Sequence, residues 1–521
     1  MASADEAARS GPRGTSLISA GTAQFAGQAL GIFIAVFVSH LIAKRMGIGA
    51  EADAFLLGRR LVTSVTEALS QVMVVVFIPL IAARAAAGVS GVRILGSAGA
   101  SALALGAALA IAISLAAPDI VASLAPTFHP DTAALASKVV VILSMSLPAT
   151  VAAMAFAAYC NVRGWFGVPT AIRQLPRASV ALALLVGSGA LALQASAAYT
   201  ITYFAVALLT LVLALRLGPE RPSATGTQSM SASVGRRGTA AILLTFGALA
   251  NIWLETAVAA RQGVGAVAML DFSQRLGALC GNTLAMALGL VAFADLTKRA
   301  AMGETKELGS RFRQATLIGM VLLVPVQLGF FINAGSVIDL IIAHGRVDAE
   351  TVKYMTELMR WMALAPFGAL VTRMMLVRLL AQDDLPIVRL VGAGMALDFG
   401  SRLLLFTILT PVFGLAGIPI ALVLAPAVPI VFLAFVLRRR GVFSGGGALR
   451  AARPIMAAAA LGCAGILIGA AVAPAVLSLV RAPLADGSKL DSFVQLAGSG
   501  VLGLIALGLG IKIFGVKLRP R

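Results

Sequence analysis

The chain has 521 residues, 59% of them apolar and 12% charged, with a formal net charge of +19. A soluble domain holds roughly a quarter charged residues, so this composition excludes an ordinary soluble fold. Only 24 Phe, 4 Tyr and 3 Trp are present; Ala, Leu, Val and Gly carry the hydrophobicity in long runs near the roughly 20 residues a spanning helix needs, where barrel strands would alternate apolar and polar positions. The reading is an all-α polytopic membrane protein.

The chain opens with a polar tail of mixed charge, MASADEAARSGPRGT (1–15). The apolar segment after it outruns the core of a cleavable signal, so none is expected. Helices are predicted at about 16–43, 54–83, 94–117, 136–161, 166–192, 196–216, 239–260, 269–297, 312–334, 352–380, 386–410, 413–437, 453–478 and 492–515. Counting those near a helix end with the adjoining connection, 26 of the 41 Lys and Arg fall at the N-terminus, in every second connection and at the C-terminus; eight fall in the alternate connections and seven remain inside spans. The positive-inside rule then places both termini in the cytoplasm. The basic balance marks cytoplasmic loops, and no nucleic-acid partner is expected. The most polar, turn-rich connection, GPERPSATGTQSMSASVGRRG (218–238), divides six helices from eight.

The two sides of that linker resemble each other. Residues 59–88, RRLVTSVTEALSQVMVVVFIPLIAARAAAG, align without gaps on 274–303, QRLGALCGNTLAMALGLVAFADLTKRAAMG, at an offset of 215. Arg60 falls on Arg275 and Glu67 on Asn282. Ile120, Asp131, Pro148 and Pro169 find later counterparts in Ile338, Asp348, Pro366 and Pro386. A duplicated six-helix unit keeps its orientation across the membrane, which predicts two parallel repeats with a central cavity between them. The expected organisation is an N-terminal lobe over 16–217, the linker 218–238, a C-terminal lobe over 239–440, and two appended helices with a tail over 441–521.

Charges inside spans are the functional candidates. Asp53, Arg60 and Glu67 are spaced by seven and drift only about 20° per step, so they share one helix face. Asp271, Arg275 and Asn282 share another, while Arg59 points away from Arg60. These residues are read as lining a hydrated cavity for phosphate or pyrophosphate, whose oxygens match the guanidinium fork. The alternative is a structural role, with Arg60 and Arg275 paired to Glu67 or Asp271. Glu255 and Asp398 are buried carboxylates of the second half, open either to Na+ or H+ coupling or to an i,i+4 pair between Asp398 and Arg402. Cys160, Cys280 and Cys463 stand alone, as do His40, His129 and His344. No disulfide, metal or cofactor site is expected.

Several stretches carry a resemblance. GIGAEADAF (47–55), SQVMVVVFIPLIAA (70–83), SQRLGALCGNTLAMALG (273–289) and IIAHGRVDAETV (341–352) resemble segments of the MviN/MurJ-type lipid II flippases of the MOP exporter superfamily, over roughly residues 16–440. The resemblance implies two six-helix lobes around a central cavity, alternating access, and export of an undecaprenyl-diphosphate-linked sugar to the outer leaflet without enzymatic chemistry. It implies roles for Asp53, Arg60 and Arg275, and a cation among the seventh, eleventh and twelfth helices of some members, with Na+, H+ or the membrane potential as driving force. Nothing requires more than a monomer. Departures are visible: AQFAGQALGIFIAVFV (23–38) lacks the arginines members place in the first helix, SVTE (64–67) replaces a second basic pair, and Ala278 replaces an acidic residue. Other cargoes remain open: another lipid-linked glycan such as an O-antigen or exopolysaccharide unit, or a cationic drug. A membrane glycan polymerase and a non-transporting scaffold are the readings from other classes.

Overall fold

The computed structural model describes residues 17–86, 89–162, 165, 167–217, 232–278, 281, 305–343, 347–380, 386–439, 448–480 and 487–513. No strand occurs among them. In chain order the helices are α1 Leu17–Arg45, α2 Ala50–Ala86, α3 Gly91–Leu124, α4 Pro130–Ser144, α5 Leu147–Val162, α6 Gly167–Ile172, α7 Leu175–Val186, α8 Leu191–Arg216 and α9 Ala232–Ala260. A helix opening at 266 and described to 278 is α10. There follow α11 Thr305–Ile332, α12 Ala334–Ile341, α13 Ala349–Leu380, α14 Ile387–Phe413, α15 Gly417–Leu424, α16 Ala427–Arg439, α17 Ala448–Val480 and α18 Gly487–Ile513.

Every predicted span coincides with helix, the eighth as far as 278. Eight helical stretches among the described residues are long and apolar enough to cross a membrane. The departures are breaks within spans. The fourth is split into α4 and α5 at Met145–Ser146, just before Pro148; the fifth is split into α6 and α7 just before Pro176. Proline has no N–H for the i−4 carbonyl and crowds it, so a helix restarts there at low cost. The twelfth span breaks into a 3-10 turn, Gly414–Ala416, then α15 and α16. Pro118, Pro325, Pro366 and Pro411 instead lie inside continuous helices.

The outer surface is that of a lipid-solvated protein. Phe33, Leu115, Val186, Phe246, Val412 and Leu504 are all exposed, an apolar exterior that water would not tolerate. All backbone pairing inside such helices is local, which hydrocarbon demands.

The chain divides into two compact units: 1–38 with 61–118 and 137–229, and 39–60 with 119–136 and 230–521. The division does not follow the linker, because the segments 39–60 and 119–136 group with the second half. In the first unit α5 packs on α8 and α7 on α8. Its core gathers Ile81, Ile94, Leu95, Val151, Phe156 and Tyr159. Small residues permit the closest approaches: a Cβ on Gly106 would lie 2.6 Å from Pro148 Cα, and one on Gly31 would meet the Gln174 amide. In the second unit α9 packs on α14, and α11 on α13 and α17. Leu370, Met374, Val391, Leu433 and Leu437 fill its core. Asp348 caps α13, accepting the Thr351 N–H at 3.0 Å and its hydroxyl at 2.7 Å; these bonds hold the exposed carboxyl below its usual range.

The two appended helices form a hairpin tied to α12 by hydrogen bonds from the Ser492 hydroxyl to Asp339 (2.8 Å) and from the Ser336 hydroxyl to Gln495 Oε1 (3.0 Å). Their contact runs along Gly465, Gly469 and Gly510. A Cβ on Gly469 would sit 2.6 Å from Ser499 Cα, and backbone cannot yield as a side chain can. Gly469→Leu is therefore expected to separate α17 from α18 and to cost about 1–3 kcal/mol. Gly500→Leu, where a Cβ meets nothing within 4 Å, should leave stability nearly unchanged. Thermal unfolding of the detergent-solubilised variants compares the two.

Candidate functional site

Most of the sequence-selected charges converge inside the second unit. The first contact is at the start of α2. Asp53 is fully buried, and its carboxylate accepts the N–H of Gly265 at 2.5 Å and of Ala268 at 2.8 Å. Gly265 is the N-cap position of α10, since Met269 N–H returns to its carbonyl at 2.9 Å. The first N–H groups of a helix have no partner within it. One carboxylate from a different segment thus supplies both acceptors that a capping box would supply locally, and its negative charge meets the positive end of the helix dipole. The turn needs its glycines: Gly263 and Gly265 have φ of 116° and 86°, a region that other residues enter at a cost. A Cβ on Gly265 would also press on Ile48.

Seven residues along the same face of α2 is Arg60. Its Nη2 donates to Glu255 Oε2 at 2.9 Å, with both side chains buried. Glu255, on α9, is shared. Arg402 Nη1 on α14 donates to its Oε1 at 2.6 Å, and Gln274 Nε2 on α10 donates to its Oε2 at 3.3 Å. Arg402 in turn donates from Nε to Asp398 Oδ2 at 3.1 Å, which also accepts Asn251 Nδ2 at 2.7 Å. Nearly three turns along α10 from the cap, Arg275 donates to Asp271 through Nε at 2.5 Å and Nη2 at 3.3 Å. Asp271 also lies within electrostatic reach of Arg59 and Arg60. The Arg59 guanidinium lies 6.0 Å from the Phe55 ring centroid.

Four helices, α2, α9, α10 and α14, therefore bring four guanidinium groups (Arg59, Arg60, Arg275, Arg402) and four carboxylates (Asp53, Glu255, Asp271, Asp398) into one cluster. Fully ionised, it is neutral. That is the arrangement a low-dielectric interior requires, because an unpaired ion there costs several kcal/mol. Arg60 Nη1 is buried without a hydrogen-bond partner among the described residues, and the Arg275 side chain is a quarter exposed.

Arg275 has the i,i+4 partner that the structural reading gave it. Arg60 does not pair with Glu67. That residue is exposed on α2 in the first unit, while Arg60 reaches Glu255, 195 positions away. Asn282 lies outside the described residues. Of the two alternatives for Glu255 and Asp398, the geometry has the pairing: a guanidinium bridges the carboxylates where Na+ or a proton would have to sit, so this donor set does not fit a bound cation. The sequence reading passed over Asn251 and Gln274. Asn251 precedes Glu255 by four residues and Gln274 adjoins Arg275, so each lay on a face already marked as polar.

These features define a multi-span helical transporter of the MATE-like fold. The family model "Lipid II flippase MurJ" matches residues 31–483, and the chain belongs to that family. A curated lipid II flippase MurJ from Burkholderia cenocepacia is 22% identical over 200 residues, 37% of each chain; the match spans little more than a third of that relative. A solved structure titled lipid II flippase MurJ in an inward closed conformation superposes with a TM-score of 0.70 at 13% identity, covering 94% of this chain and 99% of that one. An inward-facing MATE-family multidrug transporter of the MOP superfamily gives 0.65 at 14% identity, over 82% and 100%. At such identities the structural likeness speaks for the fold.

Removing the Asp53 carboxylate strands two helix-terminal N–H groups in an apolar interior. Asp53→Ala should lower unfolding stability by about 1–3 kcal/mol. Asp53→Asn, whose amide oxygen can still accept, should lose less. Thermal unfolding in detergent orders the three proteins.

Proposed function

We propose that this protein carries a polyprenyl-diphosphate-linked sugar precursor, lipid II, from the inner to the outer leaflet of the bacterial cytoplasmic membrane by alternating access, with both termini in the cytoplasm. Family membership supports the class of cargo. The observation that carries the reading at residue level is the spare donor capacity on Arg60 and Arg275. Both lie within predicted spans; Arg60 Nη1 is buried without a hydrogen-bond partner among the described residues, and a quarter of the Arg275 side chain is exposed to an incoming anion. A diphosphate-sugar head group cannot cross hydrocarbon unaided, because its charge and hydroxyls would be desolvated without partners. Guanidinium donors replace that hydration, while the lipid tail stays in the bilayer.

Asp53 has a place in this cycle. It joins the first turn of α2 to the start of α10, and the His40 Nδ1–H donates to the Ile341 carbonyl at 2.8 Å. Thr127 donates to the Ala260 carbonyl at 2.8 Å. By the charge bias of the loops, these bonds lie toward the outer face. They are the latch that must open for release, and each is a single bond or cap that can exchange for water.

The membrane potential supplies direction. Each negative charge moved outward across a membrane that is negative inside gains about 2.3 kcal/mol per 100 mV, and a diphosphate carries more than one.

A second reading is favoured by one feature: the first helix, AQFAGQALGIFIAVFV (23–38), contains no arginine, and SVTE (64–67) stands where the resemblance implies a second basic pair. A less basic path would suit another lipid-linked glycan. Depletion in the native host decides between them by which lipid-linked intermediate accumulates. In complementation of a depleted strain, Arg275→Ala should abolish growth support at normal protein levels. Arg275→Lys, which keeps the charge and loses the fork, should retain part of it. Equal function of all three proteins would remove the head-group role.

A further inference from the structure

The Glu255–Asp398 pair is where the sequence invites a coupling ion, and it is already neutralised from within the chain. Arg402 reaches both carboxylates, at 2.6 Å and 3.1 Å, and its guanidinium is largely enclosed, with a side-chain exposure of 18%. Asn251 takes up Asp398 Oδ2 through its amide N–H₂, and Arg60 takes up Glu255 Oε2. Every hydrogen bond described at these two carboxylates comes from a donor. A hard cation needs the same oxygen lone pairs, and it would have to settle beside fixed positive charges at close range, where repulsion is strong in a low dielectric.

We infer that Arg402 is a tethered cation that takes the place of a soluble coupling ion between Glu255 and Asp398, so that this protein is indifferent to Na+, and that removing the guanidinium uncovers a Na+ site. The chemistry left behind would suit one: two carboxylates from adjacent helices and the Asn251 side chain, whose Oδ1 is buried without a hydrogen-bond partner among the described residues. The same geometry gives Arg402 a second consequence. By holding Glu255 Oε1, it keeps that carboxylate paired and oriented when Arg60 leaves the other oxygen for an incoming anion. Arg60 can then change partners without leaving Glu255 as an unpaired ion. The inference concerns cation binding and stands apart from the identity of the cargo.

The test uses the purified full chain in detergent and compares NaCl with choline chloride at equal ionic strength. The readouts are the unfolding temperature and equilibrium binding of radioactive sodium. Wild type is expected to unfold at the same temperature in both salts. Arg402→Gln should unfold earlier in choline and regain several degrees in NaCl, with a saturable dependence and measurable sodium binding. Arg402→Lys keeps a cation on the tether and should resemble wild type in its indifference. Sodium binding by wild type that disappears in Glu255→Gln or Asp398→Asn would overturn the inference, as would a folded Arg402→Gln protein that ignores sodium. Should Arg402→Gln fail to accumulate, the double variant Asp398→Asn with Arg402→Gln decides. Recovery of a folded, sodium-indifferent protein would show that the missing counter-charge was the defect. Failure of both would show that the guanidinium serves packing and not charge.

Discussion

Everything at this site follows from one constraint: an ion inside a hydrocarbon-solvated protein must find an opposite ion or a dipole. Seven Lys and Arg lie in the predicted spans away from the connections, and three of them, Arg60, Arg275 and Arg402, are accounted for by carboxylates at 2.5–3.1 Å. Asp53 solves the problem differently, with the end of a helix as its counter-charge. The result is a neutral cluster in which each carboxylate already has a partner and the spare donors belong to the arginines. An environment balanced in this way favours exchange of one anion for another over uptake of an added cation.

The geometry also joins structure to conformational change. Asp53 and Arg60 lie seven residues apart on one helix, so both fastenings of α2 to the second half act on the same face and must release together. One holds the N-terminus of α10; the other holds Glu255 on α9. Gln274 ties α10 back to that same glutamate. Movement of α2 therefore changes the surroundings of Arg275 without any direct contact between Arg60 and Arg275. Glycine contacts around α10 reinforce its placement: a Cβ on Gly277 would lie 2.9 Å from Met362 Cβ, and one on Gly281 would strike Pro366. The helix that carries Arg275 is seated by close backbone approach as well as by its cap.

Two signals in the same chain differ in how far they reach. The family model extends over residues 31–483, whereas direct identity to a curated relative is 22% over 37% of the chain. Hydrophobic pattern and helix boundaries tolerate broad substitution as long as volume and polarity are kept, so a fold persists where side chains diverge. Recognition of a particular ligand depends on individual side chains, which the conserved fold does not fix.

The sequence by itself determined the helical class, the long apolar segments and the identity of the charged residues worth following, because hydropathy and the 3.6-residue period are local properties of the chain. It also marked the pairs within one helix, Asp271 with Arg275 and Asp398 with Arg402, since four residues return to the same face. Only the tertiary structure decided that Arg60 meets Glu255 and not Glu67, that Asp53 caps a helix more than 200 residues away, and that Arg402 spans two carboxylates. Partners on different helices are fixed by how the helices cross and rotate. That packing is the sum of many small contacts that no single stretch of sequence contains.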